Sequence, residues 1–151
     1  MAKTTTARKA TPHKASKVFS AAERDAMVSR AKETKAERGG QPDLEQECLD
    51  KIASMGPKDR AMAQKVHAII SSSGPSLAPK TYYGMPAYAK DGKVVCWYKP
   101  AEKFKTRYAT IGFSDAAKLD DSGMWPTEYA VTQMTSAEES KLATLIKRAI
   151  S

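Results

Sequence analysis

Between Lys80 and Phe113 the chain is a succession of strand-like pieces set close together. They are Lys80-Thr81-Tyr82-Tyr83, Ala87-Tyr88-Ala89-Lys90, Val94-Val95-Cys96-Trp97-Tyr98 and Arg107 to Phe113. A parallel pair needs a crossover of about a dozen residues or more, and none of these gaps is that long. The pieces must therefore pair antiparallel. Asp91-Gly92 is a hairpin turn signal. Gly84-Met85-Pro86 reads as a kink, because a Gly and a Pro inside a strand pattern mark a bulge or an interruption. Val94 to Tyr98 is apolar on both alternating faces, as in a central strand. Ala109, Ile111 and Phe113 share one face of the next strand, Asp115 to Asp121 reads as a turn or helical stub, and Glu128 to Met134 alternates again.

Helical periodicity flanks this block. Ser20 followed by Glu23 has capping-box spacing, with Phe19 as a staple, and opens a helix over about 21–37 that stops at Gly39-Gly40. Its apolar face is thin, with Met27, Val28 and alanines, so it is marginal unless it docks. Leu44, Cys48, Ile52 and Met55 recur every three or four residues and stop at Gly56-Pro57. A further helix runs from Pro57 to Ser73 with Met62, Val66, Ile69 and Ile70 inward, and Gly74-Pro75 ends it. At the C-terminal end Thr135 or Ser136, with Glu138 or Glu139, caps a helix whose stripe is Leu142, Leu145, Ile146, Ala149 and Ile150.

Helices, then a run of antiparallel strands, then a helix predict an α+β protein. The expected form is a two-layer sandwich, with an antiparallel sheet of about four to five strands and helices on one face. Of the formal net charge of +8, residues 1–40 carry +6 and residues 41–151 only +2. Residues 1–17, with five cations and no acid, cannot bury enough surface to offset chain entropy. The expected organisation is a disordered basic arm with a short helix over 1–40 and an α+β domain over 41–151.

Several function classes lack their signatures. No run approaches the roughly 18 apolar residues of a membrane span. The first 17 residues lack the apolar core of a secretory signal. GxSxG, HExxH and P-loop spacings are absent. Cys48 and Cys96 stand alone in apolar patterns and read as buried and reduced, which fits a cytoplasmic protein. His67, beside Val66 and three residues before Ile70, reads as a partly buried structural residue. Asp43, Glu47 and Asp50 fall at i, i+4 and i+7, a carboxylate stripe that is either a solvated helix face or a weak site for a hard cation such as iron. The segment Lys99 to Arg107 holds four cations and Phe104; it is either a solubilising loop or a seat for phosphate or a nucleic-acid backbone.

The segment Tyr82-Tyr83-Gly84-Met85-Pro86-Ala87-Tyr88, followed by Asp91-Gly92-Lys93 and an aromatic strand, resembles the bacterial YdhG-like family. Phe104 to Phe113 and Met124-Trp125-Pro126 resemble its longer members, and the likeness covers roughly residues 43–151. The family is a domain of unknown function often labelled an iron chaperone by analogy with frataxin. Its fold is similar to the secretion-chaperone-like group. The resemblance implies no catalytic constellation, and an iron-carrying role at most. Where shorter members often carry a His between the central strands, this chain has Lys103, Lys105 and Arg107, cations that repel a metal ion.

Seven aromatics, Tyr82, Tyr83, Tyr88, Trp97, Tyr98, Trp125 and Tyr129, fall in or near the sheet. One helix layer covers one sheet face, so some of them either pack in the core or line an open surface of the kind that binds ligands. The kink is expected to aim Tyr83 or Tyr88 over that open face near Trp97. Tyr83, Met85, Tyr88, Trp97 and Trp125 are accordingly the candidate ligand-binding residues. The leading expectation is a non-enzymatic binding or carrier domain that holds a small ligand, a metal ion or a protein segment on the uncovered sheet face, with an intracellular iron-chaperone-like role as its specific form. The alternative is a nucleic-acid-associated accessory protein acting through the basic arm.

Overall fold

The computed structural model describes residues 19–39 and 43–151. The expectation of disorder for residues 1–17 lies outside them. The chain is an α+β protein; among the described residues five strands form one open antiparallel sheet in the order β1-β2-β3-β4-β5. The strands are β1 (Ala78–Tyr82), β2 (Met85–Lys90), β3 (Lys93–Lys99), β4 (Ala109–Phe113) and β5 (Glu128–Val131). Among the described residues there are five helices: α1 (Ala21–Gly39), α2 (Leu44–Ala53), α3 (Pro57–Ser73), α4 (Ala101–Phe104) and α5 (Ser136–Ala149). None is long and apolar enough to cross a membrane.

The expected two-layer arrangement is present. On one sheet face, Tyr88 lies opposite Cys96, Cys96 opposite Phe113, and Tyr98 opposite Ile111. These side chains are buried together with Cys48 and Ile52 of α2, Val66 and Ile70 of α3, and Leu142 and Ile146 of α5. The inward stripes differ in detail from the periodic reading. Ile146 is fully buried while Leu145 is only half-buried, and Met62 and Ile69 pack against the margin of the core. Thr135 and Glu138 form the expected capping box on α5. Asp43 caps α2 by accepting the Gln46 N–H at 3.1 Å. At the start of α1 the Ser20 hydroxyl accepts the Glu23 N–H at 3.1 Å. Phe19 is exposed rather than stapled.

The kink expected at Gly84-Met85-Pro86 is a tight hairpin instead. Tyr83 and Gly84 form a two-residue turn with φ of 51° and 74°, and Tyr82 pairs with Met85 across it. Two successive positive φ values are the signature of a type I′ turn, whose twist matches that of the strands. A tyrosine at the first position hides the turn from a search for Asn-Gly or Asp-Gly. Pro86 sits opposite Thr81. The pair next to the turn-flanking pair exchanges no hydrogen bonds in such a hairpin, so its missing N–H costs β1 nothing. The bulge lies elsewhere: pairing shifts between Tyr88 and Ala89, which face Cys96 and Val94 and leave Val95 without a partner. Asp91-Gly92 forms the β2–β3 turn as expected, with φ of 52° and 79°.

Helix α1, on the arm side of the boundary expected near residue 40, contacts residues on the domain side. The apolar face of α1 is thin, but the helix docks through a polar anchor. Glu33, 9% exposed, accepts the N–H groups of Tyr83 and Gly84, each at 3.1 Å. Ala26 is buried as well, and Asp25 lies 3.9 Å from the Lys103 ammonium on α4. Helix α1 is thus part of the body that the β1–β2 turn and α4 complete.

The burial pattern of α5 sets a stability test. Ile146→Ala removes a fully enclosed side chain and is expected to cost about 2–5 kcal/mol, and Leu145→Ala less than half as much. Urea denaturation midpoints of the two variants measure the difference; equal losses would contradict the placement.

Candidate functional site

Strand alternation sends Trp97 to the sheet face away from α2, α3 and α5. It lies opposite Ala87 on β2, which lies opposite Lys80 on β1, and opposite Gly112 on β4. Tyr82, two residues beyond Lys80, shares this outer face. The two small residues let the large rings lie down. A Cβ on Gly112 would stand 2.3 Å from Trp97 Cε2 and Cζ2 and 2.7 Å from its Nε1, so the indole covers the bare backbone of β4. Ala87, between Lys80 and Trp97, is fully buried.

The result is a continuous row. The Trp97 and Tyr82 ring centroids are 6.3 Å apart. Tyr83 meets Tyr82 edge-on at 4.6 Å, a favoured geometry for aromatic pairs. The Arg30 guanidinium of α1 lies 4.8 Å from the Tyr82 centroid and 5.9 Å from that of Tyr83. These separations allow cation–π attraction. Tyr83 is 38% exposed, while Tyr82 and Trp97 are half-buried. Beyond Trp97 the face stays open, with Glu128 and Ala130 of β5 exposed.

Of the five candidate residues, Tyr83, Met85 and Trp97 meet here. Met85 is buried in β2 directly opposite Tyr82, on the same sheet face. Tyr88 does not belong to it. It is 1% exposed on the helix-covered face, where its hydroxyl lies 2.9 Å from His67 Nδ1. One residue of alternation separates it from Ala87, and that decides the face. Burial pushes the Tyr88 phenol up and the His67 imidazole down, so both stay neutral and the pair serves as a core hydrogen bond. Trp125 sits in the β4–β5 connection, half-buried against the core beside Phe113. Sequence reasoning missed Tyr82 as a site residue and missed Arg30 altogether. Their placement depends on the turn at Tyr83-Gly84 and on the docking of α1, and only the turn leaves a local trace.

The carboxylate stripe on α2 does not assemble. Asp43 lies outside the helix as its cap, and Asp50 accepts from Gln46 Nε2 at 2.8 Å. Among the described residues no three metal-ligating side chains come together. Cys48 and Cys96 are free and buried, and burial is the leading cause that pushes each thiol up to about 12. Neither is poised as a nucleophile at neutral pH. Comparison of the chain with protein-family models, with curated proteins and with solved structures finds no match, so the YdhG-like resemblance rests on the residues quoted above.

The Trp97–Gly112 contact makes the site's geometry testable. Gly112→Ala puts a methyl where the indole lies and is expected to lift the ring off β4. Overpacking of this kind costs about 1–3 kcal/mol. In a Trp125→Phe background, the emission of Trp97 should shift to the red. Unchanged emission would mean that the ring does not lie over β4.

Proposed function

We propose that this chain is a non-catalytic binding or carrier domain of the YdhG-like kind, which holds a small ligand or protein segment on the outer face of its sheet. The observation that carries the reading is the Trp97–Tyr82–Tyr83 row, with Trp97 laid over Gly112 and Arg30 stacked at the other end. Arg30, a planar cationic group over the Tyr82 ring, supports a ligand of similar shape as the occupant. A ligand or side chain with a planar group continues the stack past Trp97 toward the exposed part of β5. Iron is not the proposed cargo, because among the described residues no three His, Cys, Asp or Glu side chains come together to hold it.

Native mass spectrometry of freshly purified full-length protein tests the reading. Wild type and Trp125→Phe are expected to retain a bound species, and Trp97→Ala to lose it while its melting temperature falls only a few degrees. Retention by Trp97→Ala, or the absence of any bound species from wild type, contradicts the reading. The concentration of positive charge in residues 1–40 favours nucleic acid as a second reading. In that case binding to a single-stranded oligonucleotide weakens with salt and with replacement of Lys3, Arg8, Lys9, Lys14 and Lys17 by Gln, and survives Trp97→Ala.

A further inference from the structure

Tyr98 is the neighbour of Trp97 in β3 but faces the opposite way, into the layer between sheet and helices. It is 1% exposed, and its hydroxyl has no hydrogen-bond partner among the described residues. Buried hydroxyls nearly always have one, so this exception calls for an explanation. The residue opens onto a cavity of about 220 Å³ bounded by the start of α3, by α4 and the loop after it, and by the ends of β4 and β5. The apolar part of the wall is Met62, Ala101, Ala109 and Val131. Lys58, Lys105 and Arg107 also line it, and none of the three is in an ion pair among the described residues.

The rim is built rather than incidental. Lys105 ends α4 in the left-handed region, at φ 54°, and turns the chain back. The Thr106 N–H donates to Ala101 O at 2.9 Å and the Thr106 hydroxyl to Tyr108 O at 2.9 Å, which fixes the loop. The Arg107 guanidinium rests 5.2 Å from the Tyr108 ring centroid. Two carboxylates also line the cavity. Asp59 is occupied by the N–H groups of Glu102 and Lys103, each at 3.1 Å, and the Glu102 carboxylate lies against Gly56. Burial, followed by these two carboxylates, pushes the Tyr98 phenol up, so it remains a protonated donor. The same carboxylates repel an anion at the depth of Tyr98, whereas the three cations attract one at the mouth.

We propose that this cavity binds a small organic anion with a ring-sized apolar body. Its charged end lies among Lys58, Lys105 and Arg107, and a neutral acceptor at its far end takes the Tyr98 hydroxyl. The volume suits one substituted ring, since a cavity of about 150 Å³ takes benzene. The site lies on the other sheet face from the aromatic row, so it stands or falls separately from the function proposed above.

Methyl NMR titration of the full chain, observing Met62 and Val131, tests it with three probes: 4-hydroxybenzoate, benzoate and 4-hydroxybenzyl alcohol. 4-Hydroxybenzoate is expected to bind about tenfold more tightly than benzoate, a factor that one hydrogen bond of ordinary net strength supplies. Tyr98→Phe should erase that margin while melting no lower than wild type, because it removes an unpartnered buried hydroxyl. Lys105→Gln with Arg107→Gln should weaken both anions about tenfold and leave the alcohol unchanged. The proposal is overturned by the absence of saturable shifts with 4-hydroxybenzoate, or by a margin over benzoate that persists in Tyr98→Phe. A Tyr98→Phe chain less stable than wild type overturns it too, because the hydroxyl then serves the fold.

Discussion

Two buried carboxylates, each accepting two consecutive main-chain N–H groups, hold the edge of this fold on which both proposed sites depend. Glu33 of α1 grips Tyr83 and Gly84 at the β1–β2 turn, and Asp59 of α3 grips Glu102 and Lys103 at the start of α4. Both are answers to the same problem. A turn with two positive φ values and a four-residue helix each point free N–H groups outward, and an anion is the natural acceptor for such a pair. Hydrogen bonds to a charged group are among the stronger ones in proteins, at about 1.5–3 kcal/mol each, and a buried N–H left unmet costs about 1–3 kcal/mol. Lys103 connects the two clamps, with its ammonium 3.4 Å from Gly84 O and 3.9 Å from Asp25.

The aromatic row follows from the first clamp. A tyrosine at φ 51° is costly for a side chain that is neither Gly nor Asn. The surroundings over-determine it: its N–H is taken by Glu33, and its ring is held by Tyr82 and by Arg30, one turn before Glu33 on the same helix. The helix that fixes the turn therefore also supplies the cation at the end of the stack. The second clamp plays the same part for the other sheet face. It holds α4 against α3, and α4 forms part of the wall of the cavity that Tyr98 also lines. The sheet thus separates two surfaces of different chemistry, flat and aromatic on one side, enclosed and rimmed by cations on the other.

What was readable in the residues was whatever rests on local pattern. Antiparallel pairing, the Asp91-Gly92 turn, the Thr135 cap and the inward stripes of α2, α3 and α5 each have a signal within a few residues. The hairpin at Tyr83-Gly84 escaped because a tyrosine occupies a position where Asn or Asp is the usual sign. The docking of α1 escaped because hydrophobic periodicity weighs apolar faces, and this helix is anchored by a carboxylate about fifty residues from its partners in sequence. For the candidate residues the difficulty was parity. Trp97 and Tyr98 are adjacent and equally aromatic, and only the strand register assigns one to each face. The bulge at Val95 shifts that register by one, so counting along the sequence from Tyr88 does not give the answer.

The claim on which most depends is that α1 belongs to the fold because Glu33 holds the β1–β2 turn. Amide hydrogen exchange of the full chain, read at Tyr83 and Gly84 in wild type and in Glu33→Ala, measures it directly. Both amides should exchange slowly in wild type and at least about tenfold faster in the variant, a factor equivalent to about 1.4 kcal/mol. The amides of Glu102 and Lys103, held by Asp59, should keep their rates. Fast exchange at Tyr83 and Gly84 in wild type, or rates that Glu33→Ala leaves unchanged, would contradict the account.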